Sequence, residues 1–135
     1  MSLALQNTFK VKERLKKTQD IETLFQVGKA FSFFPVRCIW RVLPLASEDA
    51  YPAAIGFAVP KKKLRRAVDR NRVKRLLREA WRMQKKDFYT QIPQNQKVHL
   101  FFIYQAPEVL TWEQAYVLVT KLIEQLLLKI KAATV

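Results

Sequence analysis

The chain has 135 residues, half of them hydrophobic, with 25 Lys and Arg against 11 Asp and Glu, a formal net charge of +14. That much apolar material builds a single-domain core and excludes a disordered basic tail, while the charge points to phosphate-bearing partners, on nucleic acid or at a membrane surface. One cysteine, Cys38, excludes an internal disulfide and a cysteine-based zinc site.

In chain order, the opening MSLALQNTFK lacks the charged-then-apolar layout of a signal peptide, and no apolar run reaches the ~18 residues of a membrane span. The expected location is the cytoplasm. Residues 1–9 carry no periodic pattern and are expected to form an extended arm of a single domain covering residues 1–135. TQDIETLFQVGK reads as a short helix, with Thr18 as its cap, Asp20 and Glu22 at its positive end and Gly28 at its stop. PVRCIWRVL follows as a strand, with Val36, Cys38, Trp40 and Val42 on one face and Arg37, Ile39, Arg41 and Leu43 on the other. ASEDAYPA is a polar loop and AIGFAV a second strand, ending at Pro60. A basic helix over roughly residues 67–84 comes next, and then a third strand, KVHLFFIYQ. The last helix opens at the capping box TWEQ, Thr111 to Gln114. The expected fold is α+β: a small mixed sheet of three to four strands packed with three helices as a single-domain sandwich.

The basic helix carries the strongest functional signal. At 100° per residue, Val73, Leu76, Leu77, Ala80 and Trp81 form its core stripe. Asn71, Arg75, Arg78 and Arg82 fall opposite, with Arg72 and Lys74 on the flanks. A solvated charged face is the ordinary explanation for such a run. Here residues 61–86 hold 13 Lys and Arg against only Asp69 and Glu79, so intrahelical ion pairs cannot neutralise it. Arginine outnumbers lysine on the helix, which suits bidentate phosphate recognition. A membrane-surface helix is the lesser competitor, because the apolar stripe is matched to a folded core. Asn71 is a mediocre helix former. Two readings stand for it: a ligand to phosphate or ribose, or a residue tolerated near a helix start.

A second basic cluster, KVKERLKK, precedes the first helix, with Phe9, Phe25, Phe31, Phe33, Phe34 and Trp40 nearby in sequence. Cations beside exposed rings suit single-stranded nucleic acid, although at least half of these rings are expected in the core. The inventory for protein catalysis is poor. His99 lies in an apolar strand, where a hydrogen-bonded structural role is expected; Cys38 reads as a small core residue. The carboxylates are too scattered to hold a pair of Mg²⁺ ions. No catalytic residue and no metal site are expected on the chain.

RLKKTQDIETLF followed by IGFAVPKKKLRRAVDRNRVKRLLREAW resembles the protein component of bacterial ribonuclease P. Of the family pattern R-L-x-x-x-x-D-F-x-x-V-F, G-x-x-V-x-K-K and R-N-R-x-K-R-x-x-R-E, the last two parts are present here in the expected order and spacing, at Gly56–Lys62 and Arg70–Glu79. The resemblance covers roughly residues 9–130. It implies a strand–helix–strand unit with a left-handed crossover, and a protein that assists a catalytic RNA in removing the 5′ leader of precursor tRNA. The implied partners are that RNA and precursor tRNA, with no membrane and no obligate protein partner. Catalysis is assigned to the RNA, and Mg²⁺ to the RNA-containing holoenzyme rather than to the protein. Arg70, Asn71, Arg72, Lys74 and Arg75, with Arg78 and Arg82 on the same helix, become candidates for meeting the RNA subunit. A cleft between the first helix and the sheet would take the leader, with Phe25 and Trp40 as lining. Arg14, Lys16, Lys17, Lys61, Lys62, Lys63, Arg65 and Arg66 are its candidate cations. The chain departs from the pattern at Ile21, where the family has phenylalanine, and either Ile39 or Trp40 takes the family's strand aromatic position. A general RNA-binding module without a cleft, and a stand-alone Mg²⁺ nuclease, are the alternative readings.

Overall fold

The computed structural model describes residues 8–46 and 51–133. The arm expected over residues 1–9 lies outside the described residues apart from Thr8 and Phe9, as does the middle of the polar loop before the second expected strand. A 3₁₀ turn at Val11–Glu13 leads to α1 (Thr18–Val27), β1 (Lys29–Phe33), β2 (Val36–Pro44) and β3 (Ala53–Ala58). Then come α2 (Ala67–Thr90), β4 (Gln96–Tyr104) and α3 (Trp112–Ala133).

The strands form one sheet in the order β1-β2-β4-β3. β1 and β2 make an antiparallel hairpin, β2 and β4 pair antiparallel, and β3 pairs with β4 in parallel, so α2 is the crossover that a parallel pair requires. Alternation along the strands divides the core into two layers. Val36, Cys38 and Trp40 of β2 join Val98, Leu100, Phe102 and Tyr104 of β4 in a large cluster under α2 and α3. On the other face, Ile39 of β2 and Ala54 of β3 join Leu15 and Leu24 under α1, with Ile21, Phe101 and Ile103 packed against them. Ile39 and Trp40 are both buried although they point opposite ways, Trp40 into the large layer and Ile39, between Arg37 and Arg41, into the small layer under α1.

Three expectations are corrected. Residues 29–33 form an edge strand that the reading had passed over: the Gly28 amide closes α1 on the Leu24 carbonyl at 2.8 Å, and β1 starts at the next residue. Thr18 does not cap α1, which begins after Lys17 with no side-chain cap. And α2 continues to Thr90, because Lys85 occupies a core position and thereby hides the continuation of the apolar stripe to Phe88 and Tyr89. The capping box of α3 forms as read: the Thr111 amide donates to Gln114 Oε1 at 2.9 Å and the Gln114 amide to Thr111 Oγ1 at 3.2 Å.

Candidate nucleic-acid interface

On α2, the sequence of alternating small apolar and cationic residues produces two unlike sides. Val73, Leu77, Ala80 and Trp81 are buried, with Trp81 edge-on to Phe102 of β4 at 6.2 Å, so the helix cannot turn about its axis. Asn71, Arg72 and Arg75 are exposed, and Lys74 and Arg78 are half-buried. The two carboxylates of this region are already used. Asp69 accepts from Arg66 at 2.9 Å, and Glu79 takes a bidentate grip from Arg82, held by contacts of 2.5 to 3.1 Å. Among the described residues Arg72, Lys74 and Arg75 therefore have no carboxylate partner, whereas Arg66 and Arg82 are offset within their own helix.

Arg70 does a second job. Its Nη1 donates to the carbonyls of Leu64 at 3.0 Å and Arg65 at 2.7 Å. These bonds tie the turn that carries exposed Lys61, Lys62, Lys63 and Arg65 to the first turn of α2, leaving the other guanidinium donors for a ligand.

The groove lies on the α1 face of the sheet. Cross-strand register makes three rows there: Arg41–His99–Ala54, Ile39–Phe101–Gly56 and Arg37–Ile103–Ala58. The middle row shows why position 56 is glycine. A Cβ there would stand 2.3 Å from the Phe101 ring, so only glycine lets that ring lie across β3. Phe25 of α1, 47% exposed, meets Phe101 edge-on at 5.3 Å. The pair makes an aromatic platform with Ile21 and Ile103 beside it. The charged residues that β2 and β4 contribute to this face, Arg37, Arg41 and Lys97, are all cationic. Lys16 and Lys17 lead into α1, and the Lys61–Lys63 turn leaves β3 at the end of the sheet marked by the Arg37 row.

Two residues expected at the groove, Trp40 as lining and Arg14 as a cation, are elsewhere. Trp40 is 3% exposed on the opposite face, beneath the Lys29 ammonium at 5.6 Å from its ring; the residue of β2 on the groove face is Ile39. Arg14 forms a parallel bridge with Ile55 at the free edge of β3 and sits over the Phe9 ring at 5.2 Å. Since its neighbour Leu15 takes the α1 side, Arg14 turns to the α2 side. Burial, and then the charge of Arg14, hold the Arg78 guanidinium below its usual pKa. The sequence reading missed Phe101, Arg37 and Arg41 as groove residues. Arg37 and Arg41 had been placed on the right face, but Phe101 needed its register against Gly56.

Burial pushes the Cys38 thiol up, away from reactivity, and His99 is 7% exposed. No group of three metal-ligating side chains occurs among the described residues.

Comparison with known proteins agrees with the motif. The family model described as Ribonuclease P matches residues 9–131. A ribonuclease P protein component from Porphyromonas gingivalis is 49% identical over 75 residues, covering 54% of this chain and 52% of that protein. One from Chlorobium phaeobacteroides is 36% identical over 85 residues, covering 62% and 58%. The matches thus span about half the length of these curated relatives. In fold, the Staphylococcus aureus RNase P protein superposes with a TM-score of 0.63 at 22% identity, over 88% of this chain and 94% of that one. The Thermotoga maritima protein gives 0.63 at 22%, over 84% and 96%. With both signature segments inside the matched span, on the strand and helix that build the two cationic surfaces, the chain belongs to the ribonuclease P protein family.

Proposed function

We propose that this chain is the protein subunit of ribonuclease P, binding the catalytic RNA through α2 and the 5′ leader of precursor tRNA in the groove under α1. The reading is carried by one observation: the Phe25–Phe101 pair is open at a sheet face whose strand charges, Arg37, Arg41 and Lys97, are all positive. Unpaired bases stack on such rings while cations follow the backbone, a combination that suits a single strand. On α2, Arg70, Asn71, Arg72, Lys74 and Arg75 face folded RNA, with Arg78 at the border and Arg82 held by Glu79. Lys16, Lys17, Lys61, Lys62, Lys63, Arg65 and Arg66 supply cations around the leader.

Hydrolysis belongs to the RNA in this reading. Metal ions on RNA phosphates activate the water, and Mg²⁺ is a requirement of the holoenzyme. The protein lowers repulsion between two polyanions and orients the leader, in the cytoplasm and without a membrane or an obligate protein partner. Holoenzyme reconstituted with Lys61→Ala or Lys62→Ala is expected to lose affinity for precursor tRNA but not for mature tRNA, measured by equilibrium binding. Equal losses for both substrates would remove the leader from the account. Absence of any stimulation of the RNA at low Mg²⁺ would leave a general RNA-binding module.

A further inference from the structure

Beneath the junction of the two cationic surfaces lies a buried polar cluster that neither surface uses directly. Glu13 and Lys85 are both fully buried and meet at 2.5 Å. Tyr89 donates its hydroxyl to the same Glu13 oxygen at 2.7 Å, and the Lys10 amide donates to the other oxygen at 2.7 Å. The Lys85 ammonium also donates to the Thr8 carbonyl. The cluster therefore pins residues 8–13 to the C-terminal half of α2 by three hydrogen bonds, with the Lys10 bond fixing the Glu13 carboxylate from its own side, and Arg14 is the next residue.

We propose that Glu13, Lys85 and Tyr89 are positioning residues for RNA binding, holding Arg14 against α2 so that the groove cations and the α2 cations form one continuous phosphate track. This rests on the proposed RNA-binding role. A buried ion pair is a poor source of stability, because desolvating both charges offsets their attraction and an apolar pair of similar volume serves a core as well or better. What an apolar pair cannot do is fix register, since it has no directional bonds. Here register matters. One residue of slip in the N-terminal segment would exchange the sides taken by Arg14 and Leu15, putting a guanidinium into the core under α1 and a leucine at the RNA. Arg14 is already committed by the Leu15 amide bond to the Ile55 carbonyl at 2.9 Å on one side and by the cluster on the other. Its Nε is buried with no hydrogen-bond partner among the described residues, so its outer nitrogens are aimed rather than free to search.

The test is a thermodynamic cycle in the reconstituted holoenzyme, using a bacterial ribonuclease P RNA transcript and a precursor tRNA as probes. In the parent, Arg14→Ala is expected to weaken RNA binding about tenfold, the loss of one charge-assisted contact. In a Glu13→Leu/Lys85→Met background, folded by circular dichroism, the same Arg14→Ala change is expected to have no further effect, because Arg14 is no longer aimed. An equal tenfold loss in both backgrounds would overturn the proposal and leave the cluster purely structural. Should the double variant unfold, Tyr89→Phe decides the matter: a smaller Arg14→Ala effect in that background supports positioning, and an undiminished one overturns it. Failure of the parent protein to bind the RNA at all would instead reject the subunit reading itself.

Discussion

Phe25 and Trp40 show how differently two aromatic residues behave once their faces are known. Trp40 fills the layer under α2 and α3, so Trp40→Ala is expected to cost about 3–5 kcal/mol of stability in denaturant titration. Phe25 is 47% exposed, so Phe25→Ala is expected to change stability by less than about 1 kcal/mol. In the proposed holoenzyme it should weaken precursor-tRNA binding roughly five- to tenfold through lost base stacking. A reversed pattern, with Trp40→Ala folding normally and Phe25→Ala binding normally, would put the leader on the other face. The alternation of β2 separated Trp40 from Arg37, Ile39 and Arg41 in the sequence, but which of the two faces carries the groove depends on where α1 packs, and that only the tertiary structure shows. Gly56 was visible as part of a motif, but its reason was not. It is small because a ring from the neighbouring strand lies over it.

At the scale of elements, α2 has its faces where the 3.6-residue period put them, since Val73, Leu77, Ala80 and Trp81 are all buried. Its length was misjudged at Lys85, a charged residue at a core position, which a hydrophobic pattern reads as a stop. The helix also contains its own local neutralisation. Hydrogen bonding to Arg82 holds the Glu79 carboxyl below its ordinary pKa of 4.5. A carboxylate with a lowered native pKa contributes stability that is complete above its unfolded value and disappears as pH falls through the native one. The parent should therefore lose melting temperature between about pH 5 and pH 3, and Glu79→Gln should lose less over that interval. Both partners are substantially solvent-exposed, so the difference is expected to be small, and identical acid profiles would show that the pair contributes nothing.

Across the whole molecule the net charge is +14, and the two cationic surfaces meet at Arg14 and Arg78. Self-repulsion of this kind is relieved by a polyanion, and the relief carries a measurable signature in counterion release. If the proposed subunit role holds, affinity for the ribonuclease P RNA falls steeply with salt in a log–log plot. Arg75→Ala, which removes an exposed cation with no carboxylate partner among the described residues, should lower that slope by about one. A slope unchanged by Arg75→Ala would take α2 out of the phosphate contacts.

The sequence by itself determined the charge, the helix faces, the capping box of α3 and the family motif, because each depends on residues close together in the chain. Only the tertiary structure decided that β1 completes the sheet, that Ile39 and Phe101 rather than Trp40 face the groove, and that Arg14 belongs beside α2. Those outcomes depend on which strand lies next to which and in what register. The Glu13–Lys85 contact is of the same kind, joining residues 72 positions apart whose separate charges gave no sign that they would be buried together.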